Sequence, residues 1–366
     1  MESSALPDDP FWRGKKVFLT GHSGFKGGWL TLWLTLMGAK VTGYSLPPNT
    51  KPSMFAVCGV QDVAECSLFG DIREYQQLER AMKDAAPDIV FHLAAQPLVR
   101  HSYVHPVETY QTNVMGTVNL LEAMRQIRTI RAAIIVTTDK CYENTEQSVA
   151  FSEDDPMGGH DPYSSSKGCA EIVVSAYQRS FFSRDTYPAH GVAIATARAG
   201  NVIGGGDWSV DRLVPDALAA FQTGQYLSIR NPNAIRPWQH VLDPLAGYLV
   251  LAKKLFKSGV TYNGAWNFGP DPENEKRVVD VISSLASAWG PSAKWRYDEA
   301  IHAHEARFLK LDCSKAHSQL DWRPQYPLEI ALQKTVEWHL AASASKNMRE
   351  FSNSQIAEYR LSHSSN

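Results

Sequence analysis

A glycine-rich turn near the N-terminus constrains the fold of this chain most. Residues 15–20, KKVFLT, have the pattern of a short buried strand, and the dense apolar segment 29–37 predicts a helix that ends at Gly38. The turn between them reads Gly21-His-Ser-Gly24-Phe-Lys-Gly27. A strand, a tight turn and a helix in this order direct backbone N–H groups toward a phosphate pair. We therefore predict a dinucleotide-binding βα unit, and we exclude a P-loop because no Gly-Lys-Ser/Thr sequence closes the turn.

Strands and helices alternate along the first 200 residues. Further strands are predicted over 40–46, 88–95, 132–138 and 192–197, and helices through Leu78 and Met82, over 107–127 and over 163–182. This alternation predicts an α/β fold with a Rossmann-type, doubly wound parallel sheet.

After about residue 200 the pattern becomes mixed. We predict helices near 212–221, 243–256, 278–289 and 328–340, and strands over 226–230, 265–268 and 294–297. The expected organisation is an NAD-binding Rossmann domain over 11–200, to which 238–265 returns, and a smaller mixed α/β C-terminal substrate domain over 201–340. The segment 341–366 is rich in serine and charge, and we expect a flexible tail there.

Composition excludes several classes of protein. The chain has 366 residues, a net charge of −2 and no block of five like charges, which argues against a nucleic-acid or anionic-membrane partner. It has no apolar run of about 18 residues, and residues 1–10 lack the pattern of a signal peptide, so we expect a cytoplasmic protein. Five scattered cysteines suggest neither a disulfide framework nor a metal site.

Tyr163 and Lys167 are the candidate catalytic pair. They are four residues apart at the start of a predicted helix and therefore share one face. A cation beside a phenol favours the phenolate and lowers its pKa from about 10. Such a phenol can take a proton from a sugar or alcohol hydroxyl while hydride leaves the same carbon. Residues 138–140, Thr-Asp-Lys, follow a buried strand at its C-terminal end, where open α/β sheets bind ligands.

The choice between NAD and NADP depends on the second strand. The acidic residue expected roughly 20 positions after the turn is missing. Asp71 could hold the adenine amine or could be a simple helix cap. We favour NAD because no cation is placed for a 2′-phosphate. The predicted cofactor-binding residues are Gly21, Ser23, Gly24, Phe25, Lys26, Gly27, Asp71, Ile72, Leu93, Ala94, Ala95, Thr112, Tyr163 and Lys167.

Four motifs together resemble the extended short-chain dehydrogenase/reductase family. They are TGHSGFKG (20–27), HLAAQPLVR (92–100), TTDKCY (137–142) and YSSSK (163–167). Later motifs are similar to the CDP-glucose 4,6-dehydratase branch of that family: RAGNVIGGGDW (198–208), RNP followed by IRPWQHVLDPLAGYL (230–249), WNFGP (266–270) and HEARFLKLDCSKA (304–316). The resemblance implies NAD-dependent conversion of CDP-D-glucose to CDP-4-dehydro-6-deoxy-D-glucose and water, in bacterial dideoxysugar and O-antigen synthesis.

The resemblance also implies catalytic roles. Tyr163 would take the proton of the sugar 4-hydroxyl, with Lys167 holding the phenolate and the nicotinamide ribose and Thr138 bonding the 4-oxygen. Lys140, or a water that it positions, would accept the carbon-5 proton, which requires a depressed lysine pKa. Asp139 would protonate the departing 6-hydroxyl. The related dTDP-glucose enzymes carry Glu at the position of Lys140.

Candidate substrate residues come from charge, from aromatic character and from the resemblance. Guanidinium forks fit phosphate oxygens, so Arg212 and Arg236 are candidates for the substrate diphosphate. Trp208, Trp238 and His240 could flank the cytosine or could be packing residues. The remaining candidates are Gln96 and Arg100 after a sheet strand, Asn201 at the position of the substrate amide, and Asn113, which would hold the catalytic helix or a water. Segments 107–127 and 163–182 resemble the dimer face of the family, which implies a homodimer, with a homotetramer as the open alternative.

Two rival functions remain. A nucleotide-sugar 4-epimerase on the same scaffold would need Tyr163, Lys167 and Thr138 but not the acid Asp139. A non-catalytic NAD(P)-binding regulator typically loses the tyrosine and the lysine, and this chain keeps both.

Overall fold

The computed structural model describes residues 9–145, 149–298 and 308–362. Residues 1–8, which include most of the segment expected not to be a signal peptide, and residues 304–307 of the motif HEARFLKLDCSKA lie outside the described residues. The strands are β1 Lys16–Thr20, β2 Lys40–Ser45, β3 Cys66–Phe69, β4 Ile89–His92, β5 Ala132–Val136, β6 Ala193–Ala199, β7 Asn201–Ile203, β8 Tyr226–Ile229, β9 Ile235–His240, β10 Gly264–Phe268, β11 Glu275–Arg277 and β12 Lys294–Tyr297. The helices are α1 Phe25–Leu36, α2 Met54–Val57, α3 Val60–Val63, α4 Tyr75–Ala85, α5 Val99–Val104, α6 Pro106–Tyr110, α7 Gly116–Arg125, α8 Pro162–Ser180, α9 Tyr187–His190, α10 Leu213–Gln222, α11 Leu242–Ser258, α12 Val278–Trp289, α13 Leu328–Ser343 and α14 Met348–Ser362.

The large sheet has seven strands in the order β3-β2-β1-β4-β5-β6-β10, and every pairing in it is parallel. The order 3-2-1-4-5-6 is that of the Rossmann fold. Helices α1 and α11 share one apolar cluster with the sheet, and α4, α7 and α8 share another. The predicted doubly wound parallel sheet is therefore confirmed.

Two small sheets accompany the large one. Strands β11, β9 and β7 form a mixed three-stranded sheet, and β12 pairs with β8. Helices α10, α12 and α13 close a third apolar cluster over them. The predicted smaller mixed α/β part is thus confirmed.

The predicted helix over 107–127 is interrupted. Helices α6 and α7 are joined by a π-helical turn, Gln111–Met115. Such turns occur often at functional sites. Here the turn carries the buried Asn113, whose side-chain amide donates to the carbonyl of Gln96 at 3.0 Å and to Oγ of Ser166 on α8 at 2.9 Å. Asn113 therefore ties the loop after β4 to the helix that carries the candidate pair.

The prediction of a flexible tail is wrong for residues 341–362, and residues 363–366 lie outside the described residues. Helix α13 extends to Ser343, and α14 packs on the molecule with Met348, Ser352, Ile356 and Tyr359 buried. These four residues recur at intervals of three or four and therefore lie on one face of a helix. The serines and charged residues between them hide this pattern when only the composition is considered. The phenol of Tyr359 donates to Oδ1 of Asp243 at 2.8 Å and so fixes α14 to the start of α11.

Asp243→Asn should stabilise the protein increasingly as the pH rises. Asp243 is fully buried, and burial raises its pKa to about 7. Because the folded pKa lies above the unfolded value of about 3.9, the stability that the bound proton contributes is lost as the pH rises through about 7. The neutral amide has no such loss, and its oxygen can still accept from Tyr359.

Thermal unfolding of the variant and the parent protein checks this expectation. The difference in unfolding free energy should shift in favour of Asp243→Asn by roughly 2–3 kcal/mol between about pH 5 and about pH 8. Asp84→Asn on the exposed side of α4 is the matched control and should show no such trend. A difference that is the same at both pH values would contradict the prediction.

Candidate active site

The glycine-rich turn joins β1, α1 and the end of β4 at very short range. Gly21 has a φ of +80°, and a Cβ there would lie 2.7 Å from the backbone nitrogen of Ala94. A Cβ on Gly27 would lie 2.0 Å from the carbonyl oxygen of Gly21. Within the described residues no side chain caps the N-terminus of α1, which begins after Gly24. The turn therefore presents backbone N–H groups where a phosphate pair can bind.

This turn forms one wall of a cavity of about 690 Å³ that runs along the carboxyl ends of the sheet strands. All the predicted cofactor-binding residues line it: Gly21, Ser23, Gly24, Phe25, Lys26, Gly27, Asp71, Ile72, Leu93, Ala94, Ala95, Thr112, Tyr163 and Lys167. The candidates Thr138, Asp139 and Lys140 line the same cavity, as do Gln96, Arg100, Asn201, Trp208, Arg212, Arg236 and Trp238.

A short 3₁₀ turn at the end of β5 carries Thr138, Asp139 and Lys140. The hydroxyl of Thr138 donates to Oδ1 of Asp139 at 3.0 Å. Asp139 is buried, and burial raises its pKa, although the charge of Lys140 opposes the shift. Its other oxygen, Oδ2, has no hydrogen-bond partner in the described part of the chain. Burial therefore favours the protonated carboxyl, which can deliver a proton into the cavity.

The electrostatic prediction for Tyr163 and Lys167 is wrong for the protein alone. Burial raises the pKa of Tyr163 to about 12, although its hydrogen bond with Thr138 and the charge of Arg212 oppose the shift. Nζ of Lys167 donates to the carbonyl of Val136 at 3.2 Å, and burial lowers its pKa to about 8. The two side chains share one helix face and one cavity, as predicted, but desolvation outweighs the neighbouring cation, a balance that spacing alone does not reveal.

Lys26 contributes more to the site than its place in the turn indicates. Burial, and then the charges of Arg212 and Lys167, lower its pKa to about 7. Its Nζ lies 5.8 Å from the ring centroid of Tyr248. Besides Lys167, the cavity therefore contains another lysine with a lowered pKa, and its charge depends on what binds there.

Three arginines of the substrate side lie beside carboxylates. Nη1 of Arg212 lies 2.9 Å from Oδ2 of Asp207, and Nη1 of Arg100 lies 2.8 Å from Oδ1 of Asp211. Nη1 of Arg230 approaches the same Asp211 oxygen at 3.9 Å. Sequence analysis missed Arg230 and Asp211 as site residues, although Arg230 stands in the motif RNP quoted for the resemblance.

The aromatic candidates divide. Trp238 lines the cavity, and its indole nitrogen donates to the carbonyl of Lys276 at 3.2 Å. Trp208 also lines it and packs edge-on against Trp338 with ring centroids 5.5 Å apart. His240 does not line the cavity.

The prediction for His240 is therefore wrong. Its ring is fully buried between Trp29 and Tyr326, with centroids 6.4 Å and 5.4 Å away. Strand alternation alone would place His240 on the same face as Trp238, but the strand ends at His240 and its ring packs between two residues of the large core.

Gln96 shapes the loop after β4 rather than leaving its amide free for a ligand. Its Oε1 accepts from the backbone nitrogen of Leu98 at 2.6 Å, and its Nε2 donates to Oγ1 of Thr109 at 2.9 Å.

The premise that no cation lies near the adenosine end is wrong. Arg73 lines the cavity beside Asp71, and Nη2 of Arg73 lies 2.6 Å from Oδ2 of Asp71. Nε of Arg73 also donates to Asp71 at 2.9 Å, so the pair is bidentate. Its positive and negative charges cancel, so the pair carries no net charge. The pair is therefore a weak attractant for a 2′-phosphate, and the preference for NAD stays a prediction.

Two other chemistries find no support in the described residues. They contain no group of three or more histidine, cysteine or acidic side chains arranged to hold a metal ion. Cys141, next to the candidate site, is buried, and burial raises the pKa of its thiol.

Among the described helices, none combines the length and the apolar character that crossing a bilayer requires.

The chain matches a protein-family model described as GDP-mannose 4,6 dehydratase over residues 18–335. It is 51% identical to CDP-glucose 4,6-dehydratase of Salmonella typhimurium, over 96% of this chain and 98% of the relative. It is 30% identical to dTDP-glucose 4,6-dehydratase of Haemophilus influenzae, over 75% of this chain and 82% of the relative.

Solved structures share the fold. The structure of dTDP-glucose 4,6-dehydratase from Bacillus anthracis in complex with NAD aligns with a TM-score of 0.74 and 24% identity, over 90% of this chain and 98% of that one. With a family model that matches most of its length and a relative that is identical at half of its positions, the chain belongs to the nucleotide-sugar 4,6-dehydratase family.

Proposed function

We propose that the chain is an NAD-dependent CDP-D-glucose 4,6-dehydratase, which releases water and CDP-4-dehydro-6-deoxy-D-glucose. The observation that carries this proposal is the buried carboxyl of Asp139, whose pKa is raised, hydrogen-bonded to Thr138 beside the phenol of Tyr163. Oxidation at carbon 4 followed by loss of the 6-hydroxyl needs such an acid next to the oxidising pair. The choice of CDP-glucose rests on the Salmonella relative.

The residues of the cavity fit a nicotinamide dinucleotide. The backbone cradle at Gly21 and Gly27 admits no Cβ, which suits close approach of a pyrophosphate. Asp71 and Ile72 line the adenosine end, and Lys167 lies beside the catalytic tyrosine. Bound NAD would accept the hydride of carbon 4 and return it to carbon 6. The Bacillus anthracis dehydratase was crystallised with NAD, which supports the same cofactor here.

Tyr163 manages the proton of the 4-hydroxyl. The protein alone holds the phenol neutral, so its pKa must fall before it can act as a base. The charge of Arg212 favours the phenolate, Lys167 lines the same cavity, and the Thr138 hydroxyl orients the oxygen from which the proton leaves. A substrate that displaces water from this cavity strengthens these interactions.

Asp139 and Lys140 divide the elimination step. Asp139 holds a proton for the departing 6-hydroxyl because burial disfavours its charged form. Lys140 lies half-buried on the same turn and would accept the carbon-5 proton directly or through a water. The 4-epimerase reading is less well supported, because an epimerase has no use for a buried acid at Asp139. Retention of Tyr163 and Lys167 argues against the non-catalytic regulator.

We also propose a homodimer. Helices α5, α6 and α8 pack side by side and expose large apolar side chains, among them Val104 at 72%, Val107 at 68% and Ile172 at 57%. An exposed apolar patch of this kind marks a protein–protein interface. The homotetramer, the cytoplasmic location and the role in dideoxysugar and O-antigen synthesis stay predictions.

A panel of CDP-, dTDP-, GDP- and UDP-glucose tests the reaction. We expect loss of one water from CDP-glucose in the presence of NAD, with no net consumption of the cofactor, as measured by product mass. A product of unchanged mass would indicate the epimerase, and no turnover with any of the four sugars would support the regulator.

Substitutions should separate the two half-reactions. We expect Tyr163→Phe to slow the oxidation at carbon 4 by about 10²–10⁴-fold, without accumulation of NADH. We expect Asp139→Asn to form NADH but to lose water about 10²–10⁴-fold more slowly, because the amide cannot protonate the leaving hydroxyl. Single-turnover NADH absorbance and product mass measure the two steps.

Tyr75→Phe, on the distant helix α4, is the matched control and should keep full activity. Dehydration by Asp139→Asn at the parent rate would show that the acid is another group.

The dimer face gives a separate test. We expect the double variant Val107→Asp, Ile172→Asp to have half the mass of the parent protein in light scattering, because buried unpaired carboxylates oppose association. Leu361→Asp, also exposed but on α14, should leave the mass unchanged. A parent protein that is already monomeric would refute the proposed dimer.

A further inference from the structure

The cavity extends beyond the candidate diphosphate residues into a slot between α10 and β8. Its walls there include Leu213 at the start of α10, and Leu227 and Ile229 on β8. The two strand residues are buried in the apolar cluster of the smaller part. An apolar slot of this kind suits the faces of a flat heterocycle. Two charged side chains, Asp216 and Arg230, also line this part of the cavity.

Asp216 lies one helical turn beyond Arg212. The backbone nitrogen of Asp216 donates to the carbonyl of Arg212 at 2.9 Å, so the two residues stack along the start of α10. The charge of Arg212 lowers the pKa of Tyr163, so Arg212 lies close to the reacting end of the cavity. A nucleoside diphosphate sugar is linear, with its base farthest from the sugar. A sugar at Tyr163 and phosphates at Arg212 therefore direct the base toward Asp216.

Asp216 and Arg230 form an acceptor and a donor at the polar edge of the slot. The Asp216 carboxylate accepts a hydrogen bond from the backbone nitrogen of Asp211 and lies within the field of Arg230. Burial, and then the charge of Asp211, raise the pKa of Asp216 to about 6, so the group is ionised at neutral pH. An ionised carboxylate only accepts hydrogen bonds, and a guanidinium only donates them.

We infer that Asp216 and Arg230 read the hydrogen-bonding edge of cytosine and thereby select cytidine nucleotides over those of uracil and thymine. The inference rests on the function proposed above and names the residues of its base specificity. Cytosine offers the N4 amino group as a donor beside N3 and O2 as acceptors, whereas thymine and uracil offer O4 as an acceptor and N3–H as a donor. The carboxylate of Asp216 matches N4, and the guanidinium of Arg230 matches N3 and O2.

With uracil the contacts at position 4 and at N3 both fail, and only O2 remains as an acceptor for Arg230. The Asp216 carboxylate would face the O4 oxygen, and the Arg230 guanidinium would face the N3–H donor. Buried polar groups without partners reduce affinity by about 10- to 100-fold each. A site built from one acceptor and one donor therefore rejects the exchanged pattern more strongly than it rewards the correct one.

Asp216→Asn tests the assignment by specificity. An amide can accept from cytosine N4 or, after rotation, donate to uracil O4. We expect the ratio of kcat/KM for CDP-glucose to that for UDP-glucose to fall by about 10- to 100-fold. Asp84→Asn, exposed on α4 and remote from the cavity, should keep the parent ratio. An unchanged ratio in a folded Asp216→Asn variant would overturn the inference.

Altered ligands test the same contacts on the unmodified protein. The diphosphate of the pyrimidin-2-one riboside keeps N3 and O2 but lacks the exocyclic amine, and 3-deazacytidine diphosphate lacks the N3 acceptor. We expect each to bind about tenfold or more weakly than CDP in calorimetry. Binding equal to that of CDP in both cases would overturn the assignment, even if the variant does not fold.

These measurements also separate the inference from the proposed function. Tight binding of CDP that depends on its amine, without turnover of CDP-glucose, would leave the base site standing and refute the dehydratase. Turnover of CDP-glucose, with binding that does not depend on the amine, would leave the dehydratase standing and refute the base site.

Discussion

The buried carboxylate of Glu171 holds the reacting end of the molecule together. It lies one turn beyond Lys167 on α8 and accepts hydrogen bonds from the hydroxyl of Thr137 at the end of β5 and from that of Thr196 on β6. Nη2 of Arg198, also on β6, donates to it at 2.8 Å. Breaking such a buried pair leaves an uncompensated charge, which costs about 3–5 kcal/mol. Because Thr137 immediately precedes Thr138, this carboxylate fixes the helix of the phenol against the turn of the acid.

The electrostatics of the site follow from that burial. The same burial that raises the pKa of Asp139 also raises the pKa of Tyr163 and lowers those of Lys26 and Lys167. Burial therefore favours the neutral form of each group: it raises the pKa of the carboxyl and of the phenol and lowers the pKa of the two lysines. In the protein without ligands, burial therefore favours the protonated phenol.

Local pattern predicted the large sheet, because the βα units repeat a short strand, a turn and an amphipathic helix. It also predicted the cavity, because residues that follow parallel strands meet at one edge of the sheet. Long-range packing decided what the sequence could not. The face of α14 that carries Ile356 and Tyr359 is recognisable only against the side chains it covers, and His240 belongs to the core although its neighbour Trp238 reaches the cavity. The pKa of Tyr163 depends on burial, which spacing does not encode.

Chemistry and specificity occupy different parts of this fold. The groups proposed for oxidation and elimination lie on the turn after β5 and on α8, which the buried Glu171 connects. The slot for the base comes from α10 and β8, which belong to a separate apolar cluster. The two sets meet through Arg212, which precedes α10 and whose charge reaches Tyr163. A family built this way can change the base that it accepts by altering side chains on α10 and β8, without moving the phenol, the acid or the cofactor turn. This separation explains in physical terms how one scaffold accommodates relatives named for CDP-glucose and for dTDP-glucose.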